Sequence, residues 1–556
     1  MKWNRTRVRL AGAVALAAAA AISIAGCSAG SSTTGSSTPP PPAASSGGGS
    51  SAPATSATGS GGMASSGGTA SSGSSASGGS ASSGSSSAPA SNASLNIGFV
   101  AAPASLDFTQ DDGAAIPQAL LYNVYEGLVK TDGVTGKIVP LLAKSWTVST
   151  DQKTYTFTLQ SGVKFSNGAA FTADDAVFSI NRVKTGWKPA VKSGMDVVAK
   201  AEAVNPTTLK VTLSTPSQNW LYNMTTRIGA MFSKTGVSAL ATKAIGTGPF
   251  TVQSYNPNVS MVLQRNPNYW GKAAALKTVT FTYFKDANAL NNAELGGTIN
   301  VISSVQAPDT LDQFSDTSKY QVIDGTTTGE VLLSFNNSRA PLTDKNVRQA
   351  INYAIDRKSI LDTVWAGKGQ LIGSHSVPTD PWYTDLSNAY PYDPAKAKQL
   401  LGGKTYTLRL RVPNLPYATA AAPIIASELQ QVGITVKVDT LDFPADWLTQ
   451  VFTNGDYDMS IINHVEPRDL ATIWGDPKYY THYNNPQVQQ LLKDGDAGTQ
   501  QQLIADYKKV TQILSADAAG DWLWAFPNLI VADTNVKGIE KNQITESFDL
   551  TTISVG

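Results

Sequence analysis

Few side chains in this chain can do covalent or metal chemistry. Cys27 is the single cysteine, so an internal disulfide and a cysteine-based metal site are both excluded. The three histidines, His375, His464 and His482, lie far apart in sequence, and no two have the i, i+4 spacing that puts two ring nitrogens on one helix face. The part able to fold contains no Gly-x-Ser-x-Gly elbow, no His-Glu-x-x-His pair and no phosphate loop. A Ser-His-Asp triad needs no adjacency in sequence, and on that ground alone a secreted hydrolase stays open. What remains is equipment for recognition. Asp111 and Asp112 can meet a cation or form a solvated acidic turn. The segment Asn463-His464-Val465-Glu466-Pro467-Arg468-Asp469 is dense in hydrogen-bonding groups, and the alternative for it is a capped loop before a helix. Trp382 and Tyr383, like Trp365, Trp447 and Trp474, can wall a pocket or fill a core. Arg409 and Arg411 alternate on a strand, facing either a carboxylate or solvent. No cofactor, no resident metal and no catalytic residue is expected.

The elements that would hold these residues read as mixed α/β. Thr154-Tyr155-Thr156-Phe157-Thr158-Leu159 alternates polar and apolar, as a half-buried strand does. Ser166-Asn167-Gly168 marks a turn, and Thr172-Ala173-Asp174-Asp175 has the form of a capping box opening a helix over 176–182. Val347, Ala350, Ile351, Ala354 and Ile355 predict one helix over about 344–365, stopped by Gly367. A second helix is predicted from Pro423 to Gly433, followed by a strand carrying Ile434, Val436 and Val438. A chain of 556 residues is too long for one ordinary core, so two or more lobes are expected. Its 42 basic and 41 acidic residues, a net charge of +1, give no reason to expect a nucleic-acid partner.

The amino terminus reads as an address. Lys2, Arg5, Arg7 and Arg9 precede an uncharged, alanine-rich stretch from Leu10 to Gly26, which is short and weakly apolar for a permanent membrane span. Ile24-Ala25-Gly26-Cys27 resembles the lipobox of bacterial lipoproteins. That resemblance implies a signal peptide over 1–26, lipidation of Cys27, and anchoring to the outer face of the cell membrane. Residues 28–93 are Ser, Gly, Ala, Pro and Thr apart from Met63 and Asn92, with almost nothing to bury, and are expected to be a disordered linker.

Exact words in the rest of the chain carry more than its periodicity. They are Tyr125-Glu126-Gly127-Leu128-Val129, Val139-Pro140-Leu141-Leu142-Ala143-Lys144-Ser145-Trp146, Gly162-Val163-Lys164-Phe165, Phe171-Thr172-Ala173-Asp174-Asp175, Gly246-Thr247-Gly248-Pro249-Phe250, Arg265-Asn266-Pro267-Asn268-Tyr269-Trp270 and Tyr392-Asp393-Pro394. Together, and in this order, they resemble the peptide/nickel/opine class of extracytoplasmic solute-binding proteins of ABC importers, called family 5. The resemblance implies an α/β, two-lobed periplasmic-binding-protein fold of class II type with an extra subdomain inserted in lobe I. Lobe I would be 94–328 and 523–556, with the insertion near 117–243, and lobe II 329–522. The chain would cross near Gly329 and Trp524. It implies a monomer that captures a small ligand, an oligopeptide first, and delivers it to an ABC permease. A nickel chelate, an opine, a sugar oligomer or a regulatory role on the same fold are the alternatives.

By the same resemblance the ligand-binding residues would be Thr109, Gln110, Asp111, Asp112 and Gly113, after a Ser105-Leu106-Asp107-Phe108 in which Phe108 replaces the family's proline. Trp382, Tyr383, Asn463, His464, Val465, Glu466 and Asp469 would face them. Asn463 stands where peptide binders of the family place an aspartate for the ligand's ammonium. An amide cannot neutralise that charge, so Glu466 or Asp469 would have to serve, or the ligand lacks the group.

Overall fold

The computed structural model describes residues 91–111 and 113–556. The signal, lipidation and most of the linker expectations, and the one for Asp112, lie outside these residues. Among the described residues no helix is long and apolar enough to cross a membrane.

A ten-stranded mixed sheet runs through the molecule. Its order is Ile434–Leu441, Tyr406–Pro413, Met459–His464, Tyr320–Phe335, Gly520–Asp533, Val301–Ile302, Ser94–Phe99, Thr278–Tyr283, Ser260–Arg265 and Phe250–Asn256. The two long central strands pair antiparallel from Tyr320 opposite Asp533 to Ser334 opposite Gly520, with a break in register between Thr326 and Glu330. The break divides two cores. Beyond it on one side, Ile530 and Ala532 join the core built on Leu95, Ile97, Val279 and Phe281. On the other, Val331, Leu333, Phe335, Leu523, Trp524 and Phe526 join the core of Ile351, Leu410, Ile425 and Ile461. The lobes therefore share two strands, and a register break with its local bend sits where they meet.

A separate four-stranded sheet, Ala143–Val148, Thr154–Leu159, Thr208–Leu213 and Val198–Asn205, packs under the helix Ala173–Gly186. Tyr155, Phe157 and Leu159 point inward as their alternation requires. The capping box forms, with the Asp175 carboxylate accepting the Thr172 backbone N–H at 3.0 Å.

Two helix expectations differ from the structure. The run over 344–365 is two helices, Lys345–Ala354 and Arg357–Trp365. Ile355 is extended, and Asp356 caps the second helix by accepting the Ser359 N–H at 3.1 Å. The apolar spacing continues through the break, so periodicity alone does not reveal it. The helix placed at Pro423 starts earlier, at Pro416, and runs to Gln431 with Pro423 inside it. Pro416 in the first turn is the natural start, because its missing N–H is one that the helix leaves unpaired there anyway.

Candidate ligand cleft between the lobes

The strand Met459–His464 pairs with the crossing strand so that Glu330 faces His464 and Val331 faces Asn463. The loop that follows turns out of lobe II toward lobe I. Thr328, on the crossing segment, donates its hydroxyl to the Val465 carbonyl at 2.8 Å. This places Asn463 to Asp469 at the hinge.

A buried charge cluster lies beneath the loop. His375 is 1% exposed, with Nδ1 2.8 Å from the Glu330 carboxylate and Nε2 2.8 Å from Asp469. Burial would push the imidazole down, but the two carboxylates outweigh it and raise His375 to about 10. Burial pushes Glu330 up, and the imidazolium beside it pulls it back. His464 behaves in the opposite way. Its Nε2 meets the Tyr480 hydroxyl at 2.9 Å, and burial lowers it to about 4. Burial likewise raises Asp380, which accepts the Val377 N–H at 3.0 Å, to about 6.

Lobe I supplies the facing wall. The Arg468 guanidinium lies 3.9 Å from the ring centre of Tyr222 in lobe I and 5.7 Å from that of Trp382 in lobe II. Arg227, 1% exposed, binds Glu546 through Nε at 2.5 Å and stands 3.8 Å from Glu466 across the cleft. Further out, Asp496 of lobe II accepts from the Ser217 hydroxyl at 2.8 Å and the Asn219 N–H at 2.8 Å, and so caps the lobe I helix Gln218–Asn223. The Asn219 side-chain amide also reaches the Tyr507 hydroxyl at 2.5 Å. The lobes thus meet through paired polar groups, which suits a surface that opens and closes.

The expected site residues divide. Asn463, His464, Val465, Glu466, Asp469 and Trp382 gather at the cleft, although Trp382 is 1% exposed and packs on Tyr507. The Asn463 Oδ1 is buried without a hydrogen-bond partner, and its backbone N–H bonds the Tyr417 hydroxyl at 3.0 Å. Tyr383 bonds Gln370 at 3.1 Å. The first loop stays within lobe I. Thr109 is buried and donates to Asp107 at 2.6 Å, Gln110 bonds the Gly186 carbonyl at 2.8 Å, Asp111 accepts from Ser105 at 3.0 Å, and Gly113 is exposed. Trp365, Trp447 and Trp474 are core residues. Arg409 and Arg411 pair with Asp456 at 2.8 and 3.1 Å.

Sequence reasoning missed Glu330, His375, Asp380, Tyr222, Arg227, Glu546 and Asp496. Their partners are remote: Ser217 and Asp496 are 279 positions apart, a distance over which no local pattern runs. His375 and His464, far apart in sequence, come together in space, with ring centres 5.8 Å apart. Donor atoms of His464, Glu466 and Asp469 fall within 4.8 Å of one another, a set that can hold a divalent metal. Each already has a partner, in Tyr480, Arg227 and His375 respectively.

Residues 137–491 match the model of the bacterial extracellular solute-binding proteins, family 5 Middle. The chain is 28% identical over 493 residues to the probable D,D-dipeptide-binding periplasmic protein DdpA of Escherichia coli, covering 83% of this chain and 94% of that one. It is 34% identical over 346 residues to the nickel-binding periplasmic protein of the same organism, covering 57% and 65%. Among solved structures it resembles the Helicobacter pylori periplasmic binding protein DppA in complex with the peptide STSA, with TM-score 0.76, 23% identity and coverage of 83% and 98%. It also resembles the Bacillus subtilis oligopeptide-binding protein AppA in complex with a nonapeptide, with TM-score 0.72, 22% identity and coverage of 84% and 100%. The chain belongs to the family 5 bacterial extracellular solute-binding proteins.

Proposed function

We propose that this protein captures a short peptide between its two lobes and delivers it to an ABC import permease, tethered outside the cell membrane through lipidated Cys27. The observation that carries the reading is a cleft walled by both lobes and hinged on two strands, in a chain that matches a dipeptide binder over 94% of that relative's length. Lobe I would comprise 94–328 and 523–556, with its insertion near 117–243, and lobe II 329–522; the core division at the register break supports the crossing near Gly329, whereas on the return strand Leu523, Trp524 and Phe526 pack with lobe II and put that crossing a few residues later. The ligand would touch Asn463 to Glu466, Asp469, Trp382 and Tyr383, and Thr109 to Gly113 from the other side. A buried, unpartnered Asn463 oxygen is an acceptor for a ligand N–H.

A second reading, a metal chelate, is favoured by the grouping of His464, Glu466 and Asp469 and by the nickel-binding relative. Thermal-shift titration with pooled di- to pentapeptides separates the two. Saturating peptide raises Tm by a few degrees, about 3–4 kcal/mol of binding linkage at 100–1,000 times Kd. No shift with peptides together with a shift on a nickel–histidine chelate contradicts the peptide reading.

A further inference from the structure

Arg468 enters the cleft in an unusual way. Its φ is +57°, in the left-handed region that L side chains seldom adopt. That turn carries its guanidinium out of lobe II and onto the face of Tyr222 in lobe I, with Trp382 as a second ring. Among the described residues no carboxylate lies within 4.0 Å of the guanidinium, so ring faces hold it rather than a paired charge. Glu330, Asp380 and Asp469 line the space around it, with one imidazolium, His375, among them. Arg468 itself lines that space, with its guanidinium against the two rings. Two aromatic walls over an acidic floor suit a planar, weakly hydrated cation.

We infer that the slot between Tyr222 and Trp382 is a cation subsite for the guanidinium or ammonium group of a captured solute, and that Arg468 occupies it as an internal stand-in which such a solute displaces. The inference rests on the cleft being the solute site. Exchange of one cation for another leaves the charge of the slot unchanged and exchanges only ring contacts. A neutral group would leave the three carboxylates with less positive charge than they now face, so the slot selects for cations. This also gives a place for a ligand's positive charge despite the amide at Asn463.

The test is Arg468→Gly in the full-length protein, because glycine accepts φ +57° and protects the fold. Methylguanidinium is the probe, with binding read by saturation-transfer NMR and urea as the neutral isostere. The expected result is saturable binding of methylguanidinium at least tenfold tighter to Arg468→Gly than to wild type, little binding of urea, and loss of the gain when Tyr222→Leu is added. Arg468→Gln, which keeps the bulk without the charge, should bind no better than wild type. Equal binding to wild type and Arg468→Gly, equal binding of urea, or binding indifferent to Tyr222 each overturns the inference. The probe is not the natural solute, so a failure of the peptide reading shows separately, as a negative peptide titration beside a positive methylguanidinium result.

Discussion

His375 holds its proton because two carboxylates enclose it where water does not reach. Removing the imidazolium leaves Glu330 and Asp469 as close, uncompensated acids, so His375→Gln should cost about 3–5 kcal/mol, measured by chemical denaturation. The raised His375 value fixes the sign of its pH dependence. Its stabilisation is fully present below the unfolded histidine value near 6.5 and is lost as pH rises toward about 10. The stability gap between wild type and His375→Gln should therefore narrow across that window; a constant gap contradicts the buried imidazolium. His464 acts at the other end, because a histidine lowered to about 4 loses folded-state stability as pH falls from near 6.5 through 4. His464→Gln should flatten the acid limb of a Tm–pH profile. At this scale the sequence shows types and not partners. His464, Glu466 and Asp469 are visible as a polar run, whereas the enclosure of His375 comes from a crossing strand 45 positions earlier and a loop 94 positions later.

Elements whose signals are local are legible. The capping box at Thr172 and the alternating strand Thr154–Leu159 follow from residues within one turn or one pleat. The split at Asp356 and the early start at Pro416 are less so, because a cap or a first-turn proline competes with an apolar rhythm that continues regardless. Least legible is the helix Gln218–Asn223, whose N-terminal groups are satisfied partly by Asp496 of the other lobe. Those charge-assisted bonds exist only while the lobes meet. Asp496→Ala should lower ligand affinity by about 10–100-fold, roughly 1.5–3 kcal/mol, by weakening the closed form. Calorimetric titration measures the loss, and small-angle scattering should show a larger mean radius of gyration for the variant. Unchanged affinity and radius would mean that closure does not depend on this contact.

For the whole molecule, two strands carry the chain between lobes, and the mechanism depends on their freedom to bend. Gly329 sits at that crossing, where a Cβ would come within 2.8 Å of Asn463 Oδ1 and 3.0 Å of Phe526 Cβ. Gly329→Val should therefore wedge the hinge and weaken solute binding at least tenfold while each lobe keeps its core; wild-type affinity would show that the hinge tolerates the bulk. Two lobes could be expected from length, but the expectation for where the chain crosses came only from the ordered words shared with the family. Composition and periodicity do not encode which strands from distant parts of a chain become neighbours in one sheet. Capture of a peptide in the cleft is open to direct observation by native mass spectrometry of the purified protein. The expected result is a series of added masses matching short peptides, removed by mild unfolding and restored by peptide pools. A bare protein that takes up no peptide, or a single added mass matching no peptide, would contradict it.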